Sequence, residues 1–358
     1  MISLIVSIFN PPELTANFVS WATELLVNER FEVILICDGD IHRETRSLLR
    51  KARASNRCFR HVFRDESKGY GVASNQAVRH ASGDILVFLD SDTFPKRGSI
   101  RILATHLQEH QETGIVQGLL LYPQNMRVQS AGHVFGPFFN RHALTGRRAN
   151  QAIVHKPMQR QALTSAFYAV RRLEFLAMGG FDEFYLNSHE GMEFALKMHL
   201  GGRSCDYQPR AIAYHLQGGS RRHVFIDERQ QLARFWTLWG SKINRDLDHL
   251  LAAQLTPQQR RRKFLRVNAS SNRAWKDTLD FLNITSDEVA TTRELGRRIV
   301  LQDTLVPEIG RQKSPILFVT DHFAHVAENR LWFETRPHAD DLVLDCHGNA
   351  VTVSEILS

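Results

Sequence analysis

The chain has 358 residues, 43% of them hydrophobic and 23% charged, enough apolar mass for a sizeable core and a length that suggests about two domains. Its formal net charge of +7 favours acidic partners: a nucleic acid, an anionic membrane surface, a diphosphate substrate, or only the water around a basic surface. The cysteines at positions 37, 58, 205 and 346 form no C-x-x-C pair, which argues against a zinc site or a disulfide framework, and no run approaches the ~20 apolar residues of a membrane span.

In chain order, residues 2–9 form a β-branched apolar run that ends at Asn10-Pro11-Pro12, a strand followed by a turn. Residues 14–27 carry apolar side chains at helical spacing. Residues 31–37 (FEVILIC) are a second continuous apolar run, closed by Asp38-Gly39-Asp40. A helix is expected over 42–54, a short strand over 58–63, a helix over 72–81 and a strand over 85–89. Apolar strands alternating with helices predict an α/β fold, a parallel sheet covered on both faces. Ligands of such sheets bind at the carboxyl ends of the strands, which singles out Asn10, Asp38 and Asp90. From about residue 221 the texture changes to amphipathic helical stretches, and after about 315 to short β-like runs with a turn at His347-Gly348-Asn349. The expected division is a Rossmann-like domain over 1–225, a helical extension over 226–310 and a small β-hairpin or α/β appendage over 311–358.

The densest chemical signal is ASGDILVFLDSDTFP, residues 81–95. Asp90 and Asp92 flank Ser91 directly after a buried strand, and alternate residues of an extended segment point the same way. Two carboxylates beside a diphosphate suit Mg²⁺ or Mn²⁺. Asp and Ser are also common in plain strand-end turns.

Ser67 to Ala77 (SKGYGVASNQA) followed by Ala81 to Asp92 resembles the N-x-G-x-a-x-a-x-N-x-G and A-x-G-d-y-i-l-f-L-D-s-D stretch of family 2 glycosyltransferases. The opening VSIFN and the run ILICDGD are similar to that family's first two strand ends. Ala166 to Asp182 (AFYAVRRLEFLAMGGFD) is similar to its rhamnosyltransferase-like branch, and the match closes at Tyr214 to Ser220. The resemblance implies a GT-A fold, a mixed sheet flanked by helices, and a nucleotide-sugar donor, with uridine or deoxythymidine as base. It implies transfer with inversion to a glycan or lipid-linked acceptor, as in bacterial surface polysaccharide synthesis. Asp92 would bind the divalent cation, Asp90 would support it and contact the donor, and His215 would supply a further ligand. Neutral imidazole suits Mn²⁺ better than Mg²⁺. Asn10, Asp38, Lys68, Gly69, Asn75 and Ser91 would lie along the donor, although Cys37 replaces the first acid of the family's second-strand pair.

The family's catalytic base is the Asp of a Glu-Asp pair opening a helix after the Gly-Gly-Phe-Asp segment. Here Glu190 matches the Glu, and Gly191 stands where the Asp belongs. Glu190 is the expected base and His189 the second candidate; a plain helix-start role for Glu190 is the alternative. Arg221 and Arg222 are expected to clamp the diphosphate or to form a solvated turn. The basic run 260–263 (RRRK) reads as a solvated helix face or as a contact with anionic lipid. Asp321, His322 and His325 lack a completing ligand set. Phe135, Phe138, Phe139, Trp236 and Trp239 read as packing aromatics, with stacking on an acceptor sugar the alternative for one of them. No nucleic-acid module appears. A cytoplasmic protein, or one peripheral at the inner face of the membrane, is expected, with self-association through the C-terminal region. Two other classes compete: a GT-A domain that binds without transferring, and a sugar nucleotidyltransferase. The second lacks its Gly-rich basic loop after the first strand.

Overall fold

The apolar runs become strands buried on both faces, as a sheet sandwiched between helices requires. They are seen in a computed structural model that describes residues 1–8, 11–26, 31–39, 41–137, 139–216, 228–270, 275–291, 293–295, 298–300, 314–334 and 339–358. The chain divides into two units, Met1–His133 with Arg148–Ile243 and Val134–Arg147 with Asn244–Ser358.

The first unit opens with β1 (Ile2–Ile8), α1 (Pro12–Leu26), β2 (Phe31–Cys37), α2 (Arg43–Ser55), β3 (Phe59–Phe63), α3 (Tyr70–Arg79) and β4 (Ile85–Asp90). There follow β5 (Thr93–Pro95), α4 (Ser99–Glu109), β6 (Thr113–Leu121) and β7 (Val128–Ser130). Strands β8 (His133–Gly136) and β9 (Phe139–His142) pair with each other. The unit resumes with β10 (Met158–Gln159), β11 (Phe167–Arg171), α5 (Arg172–Ala177), α6 (Glu190–Leu200), β12 (Ser204–His215) and α7 (Glu228–Trp239).

The main sheet runs β10-β12-β6-β11-β4-β1-β2-β3. Strands β3, β2, β1 and β4 are parallel, whereas β11 runs antiparallel to both β4 and β6, so the sheet is mixed. All seven residues of β2 and all nine of β6 are buried. The register pairs Ile8 with Cys37 and Ser7 with Asp90, which aligns the carboxyl ends of β1, β2 and β4 on one edge. The chain moves outward from β1 to β3 and then returns to the other side of β1, placing the topological switch between β1 and β4.

The opposite edge explains the first half of the 81–95 motif. The buried Glu32 accepts hydrogen bonds from the backbone N–H of Ser82 (2.5 Å) and Gly83 (3.0 Å) and from the hydroxyl of Ser3. A Cβ on Gly83 would lie 2.7 Å from the backbone nitrogen of Ser3, so this glycine lets the turn close against β1.

The second unit departs from the expected split at 310. Strands β13 (Lys263–Ala269) and β14 (Thr285–Thr291) join β17 (Ile316–Thr320), β18 (Leu342–Asp345) and β19 (Ala350–Thr352) in one sheet, ordered β14-β13-β17-β18-β19. All its pairs are parallel except β18–β19, which are joined through His347-Gly348-Asn349. A separate two-stranded ribbon pairs β15 (Arg293–Leu295) with β16 (Arg298–Val300). Val267, Phe318 and Val343 share one apolar core with Trp332 and Phe333. In β13 the apolar residues are interleaved with Lys263, Arg266 and Asn268, and this pattern hides the strand in the sequence. Phe135 is fully buried; Phe138 lies outside the described residues. The basic run is engaged within this unit: Arg260 donates to the Ala252 carbonyl, Arg262 pairs with Asp340 (2.6 Å) and Lys263 with Asp287 (2.7 Å). Among the described residues no helix is long and apolar enough to cross a membrane.

The turn after β18 predicts a pH response. Burial depresses the pKa of His347 to about 4 from an ordinary 6.5, against the opposing bond from its Nδ1 to the His142 carbonyl (2.8 Å). The unfolded chain therefore takes up a proton below about pH 6.5 that the folded ring does not bind until about pH 4. The second unit should lose stability progressively across that window. Melting temperature against pH should show a shallower decline for His347→Gln than for the native chain; identical slopes would remove His347 as the cause.

Candidate active site

The pairing of β5 with β12 assembles the first cluster. Thr93 pairs with His215 and Phe94 with Tyr214, and the Leu216 N–H donates to the Asp92 carbonyl at 3.1 Å. This ladder carries a histidine from far along the chain to the tip of β4. His215 Nε2 lies 3.2 Å from Asp92 Oδ1 and 3.6 Å from Asp90 Oδ2. The three ligand atoms fall within 4.8 Å of one another. Asp92 is 2% exposed, whereas the Asp90 side chain retains 36%, so the cluster is closed on the protein side and open at Asp90. Two carboxylate oxygens and an imidazole nitrogen suit Mn²⁺, and a set of three leaves coordination positions for diphosphate oxygens. The residues fit the implied cation. Ser91 is buried between the two aspartates.

A second group gathers at the end of β2. The buried Asp38 accepts from Ser67 Oγ (2.9 Å), Lys68 N (3.2 Å) and Gly69 N (2.9 Å), and it pairs with Arg64 at 3.1 Å. The resemblance implies that Asp38 lies along the donor; in the structure it also grips the turn that opens α3, because backbone N–H donors stand within reach of the strand end. Gly69 has a φ of 92°, a region that suits glycine, while the Lys68 side chain is exposed beside Glu66. Cys37 is fully buried, and burial pushes its thiol up to about 12, so it packs as an apolar group.

Asn75, expected along the donor, joins two segments of the chain. Its Oδ1 accepts from the Phe181 N–H (2.9 Å), and its Nδ2 donates to the Phe181 carbonyl and to Glu183, both at 3.0 Å. It pins α3 to the turn that follows α5. Asn10, Arg221 and Arg222 lie outside the described residues.

The opening of α6 holds the third group. Glu190 is 3% exposed, and its two oxygens accept the N–H groups of Asn187 (2.5 Å) and Ser188 (2.8 Å). These bonds shape the turn that opens α6. His189 is prepared differently. The Leu186 N–H donates to Gln231 Oε1 (2.7 Å), and the Ser188 hydroxyl donates to the same oxygen (2.6 Å). Ser188 Oγ then accepts from His189 Nδ1 at 2.7 Å, so in the neutral ring the lone pair resides on Nε2. The Tyr70 phenol is buried, and burial raises its pKa well above the ordinary range; the Asp90 and Glu190 carboxylates add to the effect, and hydrogen bonds with Ser165 and Ser74 oppose it.

Gly191 has no room for the missing acid. A Cβ there would lie 2.4 Å from Ser165 Cβ and 2.8 Å from its backbone nitrogen. Gly191→Asp should therefore destabilise the first unit by about 1–3 kcal/mol, the usual cost of overpacking, rather than restore a base. Urea unfolding with an unchanged midpoint would refute this. The amides Gln231 and Gln129, buried beside His189 and His215 respectively, carry no sequence signal.

Residues 3–167 match the model of the family described as Glycosyl transferase family 2. O-antigen biosynthesis protein RfbC of Myxococcus xanthus is 28% identical over 254 residues, which are 67% of this chain and 19% of RfbC. The uncharacterized glycosyltransferase YfnE of Bacillus subtilis (strain 168) is 32% identical over 121 residues, 33% of this chain and 29% of YfnE. The chain thus spans less than a third of the length of either relative. The crystal structure of GalNAc-T7 with UDP, GalNAc and Mn²⁺ aligns over 80% of this chain and 55% of that one, with a TM-score of 0.53 and 15% identity. A likeness at that identity shows the fold alone, and the fold is GT-A.

Proposed function

We propose, from the match of residues 3–167 to the family 2 glycosyltransferase model, that the chain transfers a sugar from a nucleoside-diphosphate donor to a hydroxyl acceptor with inversion. The donor would be UDP- or dTDP-linked. The acceptor would be a glycan or lipid-linked glycan, and the name of RfbC supports a place in bacterial surface polysaccharide synthesis. The observation that carries the reading is the Asp90-Asp92-His215 cluster at the carboxyl edge of the sheet, beside its switch point.

Asp92 and His215, with help from Asp90, would hold a divalent cation, which when bound neutralises charge on the departing diphosphate. Asp38 acts through the Ser67–Gly69 turn, keeping the main chain in place along the crevice. The base that receives the acceptor proton comes from the opening of α6. The sequence favours Glu190, whose oxygens accept main-chain N–H groups, while the Nδ1–H bond to Ser188 puts the lone pair of the neutral His189 ring on Nε2, the form a base needs. We therefore place the proton on His189 Nε2, with Glu190 shaping the turn that supports it.

A thermal-shift panel of nucleotide-sugars with and without Mn²⁺ tests the reading. UDP- or dTDP-linked donors should raise the melting temperature only when Mn²⁺ is present. Stabilisation by no member of the panel would sink it. The absence of an acid at Gly191 favours a domain that binds without transferring; Mn²⁺-dependent release of nucleoside diphosphate would exclude that alternative.

A further inference from the structure

A β-bulge gives Gln129 a task that its position in the chain does not announce. On β7, Ser130 pairs with Leu120 and Val128 with Leu121, so Gln129 is the extra residue between them. Such bulges re-aim a side chain. Here Gln129, 3% exposed, meets His215 twice: its Oε1 lies 2.6 Å from Nδ1, and its Nε2 donates to the His215 carbonyl at 3.2 Å.

The second bond fixes the first. A carbonyl oxygen can only accept, so the amide NH₂ must face it and Oε1 must face the ring. Nδ1 is then the donor, and in the neutral ring Nε2 carries the lone pair. That lone pair sits 3.2 Å and 3.6 Å from carboxylate oxygens of Asp92 and Asp90, an arrangement that favours a cation among the three. Histidines that bind metals usually give their other N–H to such an acceptor, and its loss typically weakens affinity 10–100-fold.

We propose that Gln129 is a positioning residue that holds His215 in the Nδ1–H tautomer and so sets the affinity of the Asp90-Asp92-His215 cluster for a divalent cation. The proposal rests on the metal reading above.

Titration of the full chain with Mn²⁺ alone, followed by the electron paramagnetic resonance signal of the free ion, tests it. Gln129→Met, similar in volume but unable to accept, should raise the Mn²⁺ dissociation constant ~10–100-fold. Gln129→Asn, too short to reach the ring, should do the same with less risk to packing, while Gln129→Glu, which keeps an acceptor, should stay closer to the native value. In a His215→Ala background, Gln129→Met should add nothing further, which a merely structural role would not predict. Native affinity in both Gln129→Met and Gln129→Asn, or an undiminished effect in the His215→Ala background, would overturn the proposal. Should the native chain fail to bind Mn²⁺, or Asp92→Asn bind it equally well, the metal reading would fall and this assignment with it. Loss in Asp92→Asn beside native behaviour in both Gln129 variants would remove the Gln129 role alone.

Discussion

Asp92→Asn should abolish Mn²⁺-dependent stabilisation by nucleotide-sugars and lower transfer by at least ~1,000-fold. The size follows from what the position does. Cation stabilisation of a developing diphosphate charge contributes several kcal/mol, and each 1.36 kcal/mol is tenfold in rate. Asp92 is the more buried of the two strand-tip carboxylates and the closer to His215 Nε2, at 3.2 Å. An amide keeps its shape and removes its charge. Asp90, more open to solvent, should show a smaller loss of Mn²⁺ affinity when changed to Asn. The melting temperature of the metal-free Asp92→Asn protein is the control that separates a lost ligand from a damaged fold. Native transfer rates with Mn²⁺ in this variant would take the cation away from the β4 tip.

The opening of α6 carries the second large effect. His189→Asn should reduce kcat/KM by ~100- to 10,000-fold, the usual contribution of a positioned general base, with Mn²⁺-dependent donor binding retained. Glu190→Gln should act mainly on stability, costing about 1–3 kcal/mol as its two acceptor bonds to main-chain N–H groups are weakened or mismatched. The two substitutions thus differ in which measurement moves. An equal kinetic loss in Glu190→Gln with native melting, beside near-native rates in His189→Asn, would return the proton to the carboxylate that the sequence favours.

The β1–β4 core was legible because strands buried on both faces read as unbroken apolar runs, and their alternation with helices dictates a parallel sheet. Asp90 and Asp92 were legible for the same reason, since the run that ends at Leu89 places them at a strand tip. His215 drew attention only through family resemblance. Its approach depends on the β5–β12 ladder, a pairing across more than a hundred residues that no local pattern encodes. Asp38 and Asn75 show the converse difficulty. The family resemblance implies that both lie along a donor, yet it does not reveal that Asp38 accepts from Ser67, Lys68 and Gly69 or that Asn75 accepts from Phe181. Gln129 was invisible because a bulge inverts the side expected from strand alternation. In the second unit, polar residues interleaved along β13 mimic a helical face, and the segment Val134–Arg147 joins that unit from a distant part of the sequence.

Electron–nuclear double resonance of Mn²⁺ bound with UDP or dTDP tests most directly whether the strand tip grips a cation against a diphosphate. The account predicts a ³¹P coupling from the nucleotide and a single ¹⁴N coupling that disappears in His215→Ala. Bound Mn²⁺ with no ¹⁴N coupling, or with a spectrum unchanged by Asp92→Asn, would contradict it.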